Sequence, residues 1–89
     1  MSKPYDDSEI SKDEFFRNFK KDVLEDELVW HRDEKDRIIT VLLGKGWEFQ
    51  EDNSLPRALN EGDQIYVPAK TYHRIKRGTT DLMIKIEEL

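Results

Sequence analysis

The chain never sustains one apolar segment for long. From residue 27 onward its apolar residues come in short bursts, most of them closed by glycine, proline, asparagine or aspartate. That rhythm suits short strands and leaves no room for a bundle of long helices. The strongest burst is Arg37-Ile38-Ile39-Thr40-Val41-Leu42-Leu43. It is β-branched and apolar on both faces, which predicts a strand covered on two sides. Gly44-Lys45-Gly46 follows as a tight connection, and Trp47-Glu48-Phe49-Gln50 alternates as a return strand does.

The same reading extends along the chain. Glu27 to His31 is a short extended segment, and Arg32 to Asp36 a charged turn. Glu51 to Asn60 is a loop, and Glu61-Gly62-Asp63 a turn. Gln64-Ile65-Tyr66-Val67 is a strand stopped by Pro68, which has no N–H for a ladder. Tyr72 to Lys76 and Leu82 to Ile86 are the last two strands, with Gly78-Thr79-Thr80 turning between them. Many short strands with frequent turns predict an all-β, antiparallel sandwich or barrel.

The N-terminal part reads differently. Residues 1–10 have the composition of a flexible lead. Ser11 and Glu14 then fit a capping box, and Phe15, Phe16, Phe19 and Val23 follow at helical spacing. This predicts a short amphipathic helix over 12–23, its phenylalanine stripe covering a barrel edge. No shift in composition marks a second domain, so residues 11–89 are expected to form one unit with the barrel at about 27–87.

Composition narrows the function. Hydrophobic residues make up 36% of the 89 and charged residues 39%. So small a chain has a thin core, and a homodimer is the expected way to extend it. There is no cysteine, which excludes disulfides, thiolate metal sites and cysteine nucleophiles. No apolar run is long enough to span a bilayer, and the polar, acidic start is unlike a secretory signal. A soluble cytoplasmic protein is expected. A net charge of -5 speaks against nucleic acid and anionic membranes as partners. The short basic cluster from Lys70 to Arg77 reads as a solvated face. There is no phosphate loop, dinucleotide fingerprint or persuasive serine–histidine–aspartate order.

Gly62, Pro68 and His73 stand at the spacing of the second cupin motif, with Lys70 in place of its second glycine and Arg77 in place of a closing asparagine. Counting back from Gly44 places Arg37, Asp33 and His31 where the first cupin motif has its glutamate and two histidines. The stretch from about Leu28 to Ile86 thus resembles a short single-domain cupin with a degenerate first motif. That resemblance implies a small jelly-roll-like β-barrel, in which side chains from facing strands converge on one divalent ion.

His31 and Asp33, at i and i+2, share one strand face, and His73 can approach from a facing strand. Two imidazoles and a carboxylate accept zinc, nickel, manganese or iron alike, and leave coordination positions open. Arg37 cannot ligate a metal. It is suited to gripping a small anionic molecule, or to pairing with Asp33 in a metal-free barrel. Gln50, Tyr66 and Tyr72 are candidate pocket-lining residues. Two classes of function therefore stand side by side. One is a small-molecule-binding cupin, with oxygenase or isomerase chemistry if it is an enzyme. The other is a metal-free, non-catalytic binding or assembly module acting as a dimer.

Overall fold

The computed structural model describes residues 3–89. Eight strands run in the order β1 (Tyr5–Ser11), β2 (Glu14–Phe19), β3 (Arg37–Leu43), β4 (Glu48–Glu51), β5 (Arg57–Ala58), β6 (Gln64–Val67), β7 (His73–Lys76) and β8 (Leu82–Glu88). They form a five-stranded sheet, ordered β1-β2-β8-β3-β6, and a three-stranded sheet, ordered β5-β4-β7. Every pairing is antiparallel.

Strand alternation builds the core between the sheets. Ile39 and Val41 of β3, Ile65 and Val67 of β6, and Leu82, Ile84 and Ile86 of β8 turn inward and meet Phe49 of β4. Each such side chain, once fully buried, contributes about 1.5–3 kcal/mol. Trp47 seals one end with no exposed surface, its indole N–H donating to the Thr80 carbonyl at 2.7 Å. Gly46 turns there at φ +80°, where a side chain would be strained.

Three expectations need correction. First, the helix over 12–23 is absent. Among the described residues the only helical turn is a 3-10 turn at Glu25–Glu27. Residues 5–19 of the expected lead and helix instead form the β1–β2 hairpin, with β2 paired along its length to β8; residues 1–2 lie outside the described residues. Ser11 and Glu14 do meet, the hydroxyl donating to the carboxylate at 3.3 Å, but they face each other across a hairpin turn. The extended partner β8 offered β2 six paired residues, more than an isolated helix of that length can gain from its own turns.

Second, the two sheets are not closed into a barrel: among the described residues no ladder joins them around the core. Third, Glu27–His31 is not a strand; its one sheet-like contact is an isolated antiparallel bridge from His31 to His73. The second face of β3 is also only partly covered, since Leu42 and Leu43 at its end are exposed.

Candidate metal centre

Arg37, Ile39 and Val41 share the inward face of β3, and Leu82, Ile84, Ile86 and Glu88 share that of β8. The register sets Arg37 beside Glu88 where both inward rows reach the same end of the sandwich. His73, the first residue of β7, faces inward against Phe49, their rings 5.6 Å apart. His31 and Asp33 come from the irregular segment between the 3-10 turn and β3. Near the cluster that segment is tied down by three backbone bonds: His31 N–H to His73 C=O at 3.0 Å, His73 N–H to His31 C=O at 2.9 Å, and Lys70 N–H to Asp33 C=O at 2.7 Å. Lys70 sits in the left-handed region, φ +61°, where the family pattern has glycine.

These anchors bring His31, Asp33 and His73 together. One ligand atom from each lies within 4.8 Å of the other two. His73 is buried, Asp33 half-buried and His31 exposed. The hydrogen bonds decide which nitrogens point at the cluster. His31 Nδ1 is 2.9 Å from the Val29 carbonyl, and His73 Nδ1 is 2.9 Å from the Thr71 carbonyl. A carbonyl can only accept, so both rings carry a proton on Nδ1. In the neutral rings each Nε2 then holds a free lone pair.

Asp33 Oδ2 is buried, has no hydrogen-bond partner, and stands 3.3 Å from His73 Nε2. That separation is at the long edge of N–H···O geometry. With His73 neutral, two acceptors face each other in a poorly solvated place, which favours a cation between them; with His73 protonated, its Nε2–H faces the carboxylate instead. The other carboxylate oxygen, Oδ1, is 3.4 Å from Arg37 Nη1. Arg37 donates through Nε and Nη2 to Glu88 Oε2, at 3.2 and 2.9 Å. Burial would raise the Asp33 carboxyl, but a hydrogen bond from His73 in its protonated form, the Arg37 guanidinium, and the charge of the two imidazoles when protonated hold it below the ordinary carboxylate value.

A cavity of about 290 Å³ opens beside the cluster. His31, Asp33, Arg37 and His73 line one part of it, and its walls include Phe19, Leu28, Ile39 and Ile84. Arg17 and Tyr5 also reach it. Arg17 faces inward from β2, pairs with Asp7 through two bonds of 2.9 and 3.0 Å, and stacks on Tyr5 with its guanidinium carbon 3.6 Å from the ring centre.

Three residues expected at the pocket stand elsewhere. Gln50 projects from the outer face of β4 and accepts from Arg74 Nε at 2.9 Å. Tyr66 is exposed and donates to Asp36 at 2.7 Å. Tyr72 is exposed on the surface. Arg17 and Glu88 were missed, although both had a period-two signal: Phe15-x-Arg17-x-Phe19, and the row Leu82, Ile84, Ile86, Glu88.

The sequence matches no protein-family model and none of the curated proteins. Solved structures do match. The DMSP lyase DddQ from Ruegeria pomeroyi is 19% identical, with a TM-score of 0.74 over 88% of this chain and 39% of that one. A cupin-2 domain containing protein from Shewanella frigidimarina is 22% identical, with a TM-score of 0.66 over 96% of this chain and 79% of that one. A cupin domain from Bordetella pertussis is 13% identical, with a TM-score of 0.64 over 100% of this chain and 98% of that one. The chain thus spans well under half the length of the first of these. At such identities the likeness is one of fold, and the fold is that of the cupins. Among the described residues no helix is long and apolar enough to cross a membrane.

Proposed function

We propose that this cupin-fold chain holds a divalent transition metal and uses it to bind a small molecule in the adjoining cavity. The observation that carries the reading is the convergence of one ligand atom each from His31, Asp33 and His73 within 4.8 Å of one another, beside a buried Asp33 oxygen that has no hydrogen-bond partner. The donor set fits the metal: each imidazole gives its outer N–H to a backbone carbonyl, the support that metal-bound histidines ordinarily have. His31 and His73 would hold the ion through Nε2, and Asp33 through Oδ2. A bound ion would supply Lewis-acid polarisation of a coordinated oxygen, with zinc, nickel, manganese and iron all suited to the donors.

The rest of the site concerns this chain's own residues. Arg37 occupies the place where the family pattern has a fourth ligand, so three protein donors would hold the ion and leave coordination positions free for a ligand from the cavity. The charges of Asp33 and Glu88 exceed that of Arg37 by one, which favours a cation. The cavity volume and its largely apolar wall fit a small molecule with one polar or anionic group at the metal end. Arg37 is already held by two carboxylates, so such an anion would meet it beside the metal and share its Nη1 edge. Association of two chains belongs to the same reading, and light scattering at several concentrations tests it.

A second reading has its own support. Arg37 pairs with Asp33 directly, which is how a metal-free binding module would neutralise the carboxylate. Elemental analysis of tag-free protein, followed by Co²⁺ titration, separates the two. The metal reading expects one ion per chain and loss of binding in His73→Ala. A chain that takes up no Co²⁺, zinc, nickel, manganese or iron would be the module.

A further inference from the structure

The aromatic–His–Arg triplet occurs twice, as Trp30-His31-Arg32 and Tyr72-His73-Arg74. The structure joins the two copies to each other. The antiparallel bridge between His31 and His73 sets Trp30 opposite Arg74 and Arg32 opposite Tyr72. Both cross-pairs make contact. The Arg74 guanidinium lies 4.7 Å from the Trp30 ring centre, and that of Arg32 lies 5.4 Å from the Tyr72 ring centre. Alternation sends these four side chains to the outer surface and both imidazoles to the inner one, where their rings are 4.4 Å apart. Gln50 fixes the stronger pair to β4 by accepting from Arg74 Nε.

We propose that the two outer cation–π pairs are a clasp that positions the metal ligands, making Trp30, Arg74, Arg32 and Tyr72 positioning residues. This rests on the metal reading above and deepens it. Two of the three ligand residues lie in a segment with no strand of its own, attached near the site by three backbone hydrogen bonds. A metal between His31, Asp33 and His73 pulls that segment and β7 together from inside; the clasp does so from outside. Each therefore makes the other easier to form, because order supplied by one need not be supplied again by the other. Among the described residues neither Arg32 nor Arg74 has a carboxylate partner, which leaves both free for the rings. Trp30 and Tyr72 are 40% and 46% exposed, so the substitutions below leave the core intact.

The test uses the full, tag-free chain with Co²⁺ alone as the probe, read by its visible absorption. Trp30→Ala is expected to weaken Co²⁺ binding on the order of tenfold, at the low end for residues that support metal ligands. Trp30→Phe keeps a ring face for Arg74 and should stay within about threefold of the parent. Arg74→Met, which also frees Gln50, should lose at least as much as Trp30→Ala, and the double variant should lose little more than Arg74→Met, since both break the Trp30–Arg74 contact. Amide exchange at His31 and His73 should accelerate together in Trp30→Ala and in Arg74→Met, with or without metal. Parental affinity and exchange in these two variants would overturn the proposal, as would equal damage from Phe and Ala or additive losses. A parent that binds no Co²⁺ sinks the metal reading instead, and the exchange rates then decide the clasp by themselves.

Discussion

Replacing Arg37 with methionine removes the charge at the centre of the Asp33–Arg37–Glu88 row and keeps most of the side-chain stem. An exposed ion pair contributes about 0.2–1 kcal/mol, and breaking a fully buried one costs about 3–5 kcal/mol. The side chains of Asp33, Arg37 and Glu88 are 14%, 14% and 24% exposed, which places them between those limits. Two carboxylates lose their partner, yet each keeps some access to water. The expected loss is about 1–3 kcal/mol, once screening is allowed for. At about 4–8 °C per kcal/mol for a domain of this size, Tm should fall by roughly 5–20 °C. Urea unfolding in the presence of a chelator measures this with any metal removed. Glu88→Gln in the Arg37→Met background should then cost less than it does in the parent, because the carboxylate it removes has already lost its cation. A loss below about 0.5 kcal/mol in Arg37→Met would place the row among surface pairs. Additive losses in the double variant would refute the coupling itself.

Other outcomes follow from the same geometry. Trp47→Phe leaves the Thr80 carbonyl without its donor and opens a void where nothing is exposed, for a loss of about 1–3 kcal/mol read from urea midpoints. Gly78→Ala places a Cβ against the Lys45 carbonyl and the Trp47 backbone nitrogen, so thermal melts should show a loss of at least about 2 kcal/mol. Asp36 accepts from the Ala69 N–H and the Tyr66 hydroxyl, which hold its carboxyl below the ordinary value of 3.8. Its contribution to stability is therefore present above that value and fades as pH falls below it, so Asp36→Asn and the parent should converge in acid. The same bond raises the Tyr66 phenol above 10.0. Ultraviolet titration should find it ionising later than free tyrosine, and Asp36→Asn should bring it back.

The sequence alone settles the residue types and the alternation. The glycine-closed turn after β3, the proline after β6 and the strands β3, β6 and β8 are written in local chemistry, and so is the i, i+2 spacing of His31 and Asp33, whereas the inward face of β3, apolar on both sides, is not. Local chemistry is ambiguous from Ser11 to Phe19. Phe15, Phe16 and Phe19 satisfy a helical stripe, and Phe15, Arg17 and Phe19 satisfy a strand face equally well. Only the neighbour decides between them, and β8, more than sixty residues away in the chain, supplies a ladder that a helix cannot use. Tertiary structure alone also joins Glu88 to Arg37, turns Gln50 and Tyr72 away from the cavity, and gathers a ligand atom each from His31, Asp33 and His73 within 4.8 Å of one another. Those facts depend on register between strands distant in sequence, and register is a property of the packed pair rather than of either strand.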